Sequence, residues 1–500
     1  MSRIFLTTTI PYVNAPPHLG FALELVQADA LARFHRRHGT EVRLLTGTDD
    51  NSLKNVLAAE AAGVDVRQWV DRHAEAIAAL REPLNLSYDD FLRTSCDPRH
   101  PAGVERLWRA CLAAGDLYRG RYEGLYCVGC ESYYTADELS DGRCPEHGTA
   151  PERLAEDNWF FRLSRYAEPL REAIESGRMR IVPEGRRNEV LALIDGGLRD
   201  FSVSRSRSRA RGWGIPVPDD PDQVIYVWWD ALGNYVTSLG YGTASTEFER
   251  WWIAGERRVH LLGKGVLRFH AVYWPAMLLS AGLPLPTELL VHDYLTVDGQ
   301  KISKSAGGGA DPAALAAHYG TDAVRWWLLR DVPRVGDVDF TVDRLVERAN
   351  SDLAGGVGNL VNRVVSMAHR YRAGRVPATP LAGELAGPSA EAATSVVSAL
   401  ADFDLRAACT AITGVVAEAN RRIELTRPWE LARAEHGADP ATGARLDAVL
   451  DDLLATCRII GDLLEPFVPS VAAAVRRQCT PVDGTLPAAE PVFARLEVGG

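Results

Sequence analysis

The first fifty residues switch hydrophobic period twice. Residues 3–10, RIFLTTTI, are a short β-branched run of the kind that fills a strand. Residues 21–39, FALELVQADALARFHRRHG, space their apolar side chains at helical intervals and end on Gly39, a helix-stopping residue. Residues 41–50, EVRLLTGTDD, return to a strand and run into a polar loop. Helical patterns follow over LKNVLAAEAAG and VRQWVDRHAEAIAALREPL. Strands and helices alternating at this spacing predict an α/β fold with a parallel sheet.

Near residue 116 the texture changes to YRGRYEGLYCVGCESYYTADELSDGRCPEHG, rich in Gly, Tyr and Cys. Residues 116–220 therefore read as an insertion between two α/β halves, 1–115 and 221–325. After residue 326 strand signals fade, and three long stretches carry bundle-type helical spacing. A length of 500 residues suits about three domains at ~100–200 residues each. The formal net charge of -11 argues against a protein that coats nucleic acid without regard to sequence, so a nucleic-acid partner must be met by local patches. No apolar run reaches the ~20 residues of a membrane span, and the N-terminus lacks a signal-peptide core. A cytoplasmic location, with no membrane partner, is expected. Eight cysteines are too few for a disulfide scaffold of this length.

Four residues of the insertion stand in two chelating pairs, Cys127-x-x-Cys130 and Cys144-x-x-His147. Three thiolates and one imidazole make a closed tetrahedral set, which suits a structural Zn²⁺ and leaves no open catalytic position. Coincidental buried cysteines are the plainer reading, but paired x-x spacing disfavours it.

PYVNAPPHLG puts His18 and Gly20 where a strand gives way to a helix. In a parallel sheet this is where phosphates bind, on unpaired N–H groups at a positive helix end. Alone, His-x-Gly is more often a turn with a chance histidine. VDGQKISKSAGG, after the second α/β half, adds Lys301 and Lys304 with Ser303 in a Gly-flanked loop, a set suited to a triphosphate that gains charge during displacement.

The two motifs together resemble the class I aminoacyl-tRNA synthetases. With TGTDD, GLYCVGC, VWWDALGNY, FHAVYWPAML, GNLVNR and RPWELA, the resemblance narrows to the methionyl-tRNA synthetases and covers nearly the whole chain. It implies a Rossmann-type catalytic domain split by a zinc-bearing insertion, then a stem-contact linker at 326–347 and an all-α anticodon-binding bundle at 348–500. It implies catalytic roles for His18, Lys301, Lys304 and Arg205, and an ATP site of His18, Gly20, Phe21, Gly263, Lys301, Ser303 and Lys304. The methionine box maps onto Ile10, Tyr12, Trp228, Ala231, Leu232, Tyr235, His270 and Trp274, with Asp49 holding the ammonium. Asn359 and Arg363 would bond to anticodon base edges and Trp429 would stack on a base. ATP, L-methionine and tRNA(Met) are the implied partners, with Mg²⁺ carried by ATP and a monomer expected.

The pattern breaks in four places. Phe21 stands where the class carries its second signature histidine, Asn51 and Ser52 stand for the usual His-Gly, and Gly265 stands for an acid near the ribose. Two alternatives follow. One is a diverged paralogue that serves another acceptor or resists an inhibitor. The other is a tRNA-binding protein without ATP chemistry.

Overall fold

Ile4, Leu6 and Leu44 feed one apolar cluster, whereas Phe5 and Leu45 feed another on the opposite sheet face. Both faces of these strands are thus covered, as in parallel sheets with helices on each side. The computed structural model describes residues 2–129, 131–134, 136–145, 148–297, 300–301, 311–375, 383–435 and 440–497. Its central sheet has six parallel strands, in the order Asp90–Arg93, Glu41–Thr48, Arg3–Thr7, Arg257–Gly263, Glu288–His292, Arg180–Val182. The order reverses between Arg3–Thr7 and Arg257–Gly263, which opens a crevice beyond their C-terminal ends.

The expected strand at 3–10 stops at Thr7. The N–H of Thr9 leaves the ladder and donates to Glu24 Oε1 at 2.5 Å, so Thr9 and Ile10 turn into the crevice. Helix Leu19–Arg37 follows and ends before Gly39 as expected. The predicted helices of the next segment form as Leu53–Ala62 and Val66–Ala78.

The expected insertion is built on a long antiparallel hairpin, Leu117–Cys127 against Glu152–Phe161, with Ser132–Tyr134 at its tip. Residues 116–220 do not all lie in one separate unit. Arg180–Val182 forms the edge strand of the catalytic sheet, because Ile181 and Val182 bury their side chains there. Beyond residue 340 the described elements are helices: Val342–Arg348, Asn359–Arg372, Ala386–Ala401, Leu405–Thr426, Pro428–Glu435, Pro440–Leu464 and Pro469–Cys479. A π-helical stretch, Ala349–Gly358, joins the first two of these where three glycines stand close together. The described tail has no helix, and Asn350 pins it with two bonds to the backbone of Leu496. Among the described residues no helix is long and apolar enough to cross a membrane.

Candidate active site

The start of helix Leu19–Arg37 is organised by His18. This N-cap residue is extended, and its Nδ1 accepts the N–H of Phe21 at 3.3 Å. An acceptor Nδ1 places the proton of a neutral ring on Nε2. Gly20 leaves room for this ring, since a Cβ would lie 3.1 Å from His18 Nδ1 and would press it aside by a few tenths of an ångström. His18 and Phe21 both line two adjoining cavities of about 310 and 290 Å³ at the crevice. Phe21 is thus a wall shared by the two.

The first cavity gathers Ile10, Tyr12, Asp49, Trp228, Ala231, Leu232, Tyr235 and His270. Helix Val227–Thr237 presents Ala231, Leu232 and Tyr235 together with Trp228. Trp274, expected in the same box, does not line it. It lies behind Tyr235, with ring centroids 5.8 Å apart, and its indole N–H donates to His260 Nε2 at 3.2 Å. Burial lowers the His270 pKa to about 4. The neutral ring donates from Nδ1 to Val266 O at 2.9 Å and accepts the Tyr235 hydroxyl at Nε2, 2.8 Å away. This end of the cavity is therefore aromatic and uncharged.

Asp49 supplies the opposite character. Burial pushes its carboxyl well above the usual range, and Asp230, Glu131 and Asp50 push it further. Its Oδ1 has no hydrogen-bond partner among the described residues. A buried carboxylate among like charges, with one oxygen unsatisfied, is a site for a cation. One cavity thus has a cation-seeking end and an apolar, aromatic end.

The second cavity contains Gly20, Gly263 and Gly265, which leave its backbone bare, and also Lys54 and His292. Sequence reasoning missed both of these. Lys54 Nζ lies 4.6 Å from the Tyr12 ring centroid. His292 Nε2 meets Glu24 Oε2 at 3.0 Å. Burial alone would lower the His292 pKa, but the Glu24 carboxylate raises it. Ile77, Val266 and Asn234 of the first cavity were also missed. Ile77 comes from a helix without a motif, whereas Asn234 lies inside VWWDALGNY and His292 ends a strand at the crevice, so both were findable on that ground.

Gln300–Lys301 forms a short strand against Leu295–Val297, beside the second cavity. Ser303 and Lys304 lie outside the described residues. Arg205 lines neither cavity. It is buried, with its guanidinium 5.2 Å from the ring centroids of both Tyr126 and Tyr226.

Cys127 and Cys144 are both buried. They meet at Thr149: its hydroxyl lies 3.8 Å from Cys127 Sγ, and its carbonyl accepts the N–H of Cys144 at 2.9 Å. The other expected ligands, Cys130 and His147, lie outside the described residues, and no metal-type cluster of three forms among the described ones. The remaining described cysteines are buried except Cys96.

In the bundle, Asn359 is exposed at the start of its helix. Arg363 pairs with Glu424 at 2.5 Å. Trp429 is half-buried and packs against the apolar core, so part of its ring is engaged internally.

Comparison with known proteins agrees with this geometry. The family described as tRNA synthetases class I (M) matches residues 4–153 and 136–365. The methionine–tRNA ligase of Caldanaerobacter subterraneus is 41% identical over 471 residues, 93% of this chain and 72% of that protein. That of Brucella suis is 40% identical over 517 residues, covering 99% of this chain and 98% of its own. The solved structure of Mycobacterium tuberculosis methionyl-tRNA synthetase in complex with methionyl-adenylate superposes with a TM-score of 0.92 at 37% identity, covering 99% of this chain and 100% of that one. The chain belongs to the class I tRNA synthetases and, within them, to the methionine–tRNA ligase family.

Proposed function

We propose that the chain is a methionine–tRNA ligase. It activates L-methionine with ATP to methionyl-adenylate and passes the methionyl group to the 3′ end of tRNA(Met). The observation that carries this reading is the pair of cavities sharing Phe21 and His18, one suited to an amino acid and one to a nucleotide. Asp49 takes the substrate ammonium, and the thioether packs among Tyr12, Trp228, Tyr235 and the neutral His270, since sulfur favours ring edges. Trp274 supports Tyr235 from behind.

The methionine carboxylate is thereby aimed at the second cavity. Its oxygen attacks the ATP α-phosphorus, and the bond to pyrophosphate breaks. No enzyme nucleophile takes part, so the protein contributes positioning and charge. His18 donates from Nε2 to the phosphates, with the bare backbone at Gly20 and Gly263 allowing close approach. Lys301, Ser303 and Lys304 serve the leaving pyrophosphate. Mg²⁺ bound with ATP neutralises phosphate charge. Arg205, lying under Tyr226, acts on this site from behind.

The domain division is 1–115 and 221–325 for the catalytic halves, 116–220 for the insertion, which lends Arg180–Val182 to the catalytic sheet, 326–347 for the stem-contact linker and 348–500 for the anticodon-binding bundle. The convergence of Cys127 and Cys144 on Thr149 supports a structural zinc held with Cys130 and His147. Asn359, Arg363 and Trp429 read the anticodon. We place the enzyme in the cytoplasm as a monomer. Methionine-dependent ATP–pyrophosphate exchange, followed by charging of tRNA(Met), tests the whole reading. No exchange with any amino acid would overturn it.

A further inference from the structure

We propose that Asn51 and Ser52 form a two-point clasp that sets the span between Asp49 and helix Val227–Thr237, so that both are positioning residues for the length of the bound amino acid. The inference rests on the methionine reading above. It concerns a distance that reading leaves unexplained. The ammonium end of the cavity is carried by the loop at residue 49, and much of its aromatic wall by a helix nearly 180 residues further along the chain. Something must fix one against the other.

Two side-chain links do so. The first is direct: Asn51 Nδ2 donates to Asp230 Oδ2 at 2.7 Å. Asp230 belongs to the wall helix and is buried. Its other oxygen meets His100 Nε2 at 2.5 Å, and His100 Nδ1 meets Thr237 Oγ1 of the same helix at 2.8 Å. Asp230 is therefore held at both oxygens and offers Asn51 a rigid anchor. The second link runs through the insertion. The Ser52 hydroxyl donates to Glu131 Oε1 at 2.8 Å, and the Tyr226 hydroxyl, at the N-cap of the wall helix, donates to the Glu131 carbonyl. Both links close the same gap, and both start from the pair of residues that departs from the usual His-Gly.

The loop transmits what the clasp imposes. Asn55 Nδ2 binds the carbonyls of Asp49 and Asp50 at 3.0 and 2.9 Å, and the N–H of Asp49 donates to Pro11 O at 2.9 Å. Asp49 cannot slide without breaking these bonds, so a shift at Asn51 moves it as a unit with its loop. The ammonium rests on Asp49 while the thioether meets Tyr235 and His270. The length between them is then set by the clasp, and a loosened clasp admits a longer side chain.

The test is ATP–pyrophosphate exchange with methionine and with ethionine, which is one methylene longer. The variants are Asn51→Ala, Ser52→Gly and the exchanged pair Asn51→Asp with Asp230→Asn. Asn51→Ala removes a bond to a buried carboxylate. It should raise KM for methionine roughly ten-fold with kcat little changed, and raise the ethionine-to-methionine ratio of kcat/KM. The exchanged pair reverses donor and acceptor and should restore both quantities. Ser52→Gly keeps the helix start at small cost and should move both in the same direction by less. An unchanged KM and ratio in Asn51→Ala overturns the clasp. So does an equal loss for both substrates that the exchanged pair fails to repair. If Asn51→Ala does not fold, Ser52→Gly decides alone. Wild-type protein run alongside separates the two levels, because absence of methionine-dependent exchange there refutes the proposed function and not the clasp.

Discussion

Arg325→Met should loosen the joint between the two halves of the molecule by about 3–5 kcal/mol, the usual cost of stripping one partner from a buried ion pair. Arg325 has no exposed side-chain surface and pairs with Asp29, equally buried, at 2.8 Å. Asp29 lies on helix Leu19–Arg37, which begins at His18. The same guanidinium donates to the carbonyls of Phe467 at 2.8 Å, Pro466 at 3.0 Å and Leu84 at 3.0 Å. One side chain thus joins the active-site helix, the catalytic domain and the last turn of the bundle. Asp29 also holds Arg33 at 2.7 Å and both the N–H and hydroxyl of Ser87 at 2.6 Å. It would not be left bare, and the three orphaned carbonyls are reachable by water once the joint opens. The lower half of the range is therefore expected.

At about 2–4 °C per kcal/mol for domains of 150–250 residues, the melting midpoint should fall by roughly 10 °C. Scanning calorimetry at several rates measures it. Arg325→Lys should recover less than half, because one ammonium cannot span three carbonyls and a carboxylate. The double variant Asp29→Leu with Arg325→Met should be no less destabilised than Arg325→Met alone, because losing Asp29 also strands Arg33 and the Ser87 N–H. A loss under about 1 kcal/mol in Arg325→Met would refute the reasoning, since the pair would then only balance its own desolvation.

Phe21→His should keep the fold and raise the rate of adenylate formation by less than about 10²-fold, because one donor is restored while Gly265 stays non-standard; pre-steady-state pyrophosphate exchange measures it, and a slower enzyme would show a site rebuilt around the phenyl ring. Trp429→Ala should weaken tRNA charging by about 1–3 kcal/mol and leave pyrophosphate exchange nearly unchanged. Equal charging would show that the ring serves only the core. Metal analysis of purified protein should find about one zinc per chain, lost in Cys127→Ser together with protection of Cys144 from alkylation. The contribution of the Glu24–His292 pair is full below the ordinary histidine range and fades as pH rises through the raised His292 value. The KM for ATP should therefore climb on the alkaline side in wild type, and a flat profile there would count against the pair.

Much of this was legible where one period or one motif sufficed. The spacing over residues 21–39 gave a helix that ends where Gly39 says it must, and HLGF lies at the crevice because a strand–helix junction puts it there. Arg180–Val182 was not legible, because three residues carry no period and the strand exists only through its neighbour Glu288–His292. Arg205 was half legible. The tract SVSRSRSRARGWG has the look of a solvated basic face, and Arg207 and Arg211 are indeed exposed, but Arg205 is buried between Tyr126 and Tyr226. Those rings come from a distant hairpin and the start of the wall helix, so no local pattern announces them. The same holds for the partner of Asn51. Its replacement of histidine looks like a loss until Asp230, 179 residues away, is seen to receive its amide.

The four departures therefore do not add up to a failing nucleotide site. In the proposed reading Phe21 offers the phosphates no donor, but it lines both cavities, and the first of them also holds the apolar Ile77 and Val266. Asn51 and Ser52 act behind the amino-acid cavity, not at the triphosphate. Only Gly265 leaves a gap on the nucleotide side, as it lines that cavity with no side chain to meet a ribose. Glu24 does not fill the gap, since one of its oxygens accepts from Thr9 and the other is held by His292. What it does is favour the protonated form of His292 at the cavity wall, beside Gly263. Charge that the signature histidine would have brought as a mobile donor is here partly supplied as a fixed field, which costs no reorganisation during phosphoryl displacement but cannot follow the leaving group. Such a cleft should bind ATP well and depend more heavily on Lys301 and Lys304 for the chemical step.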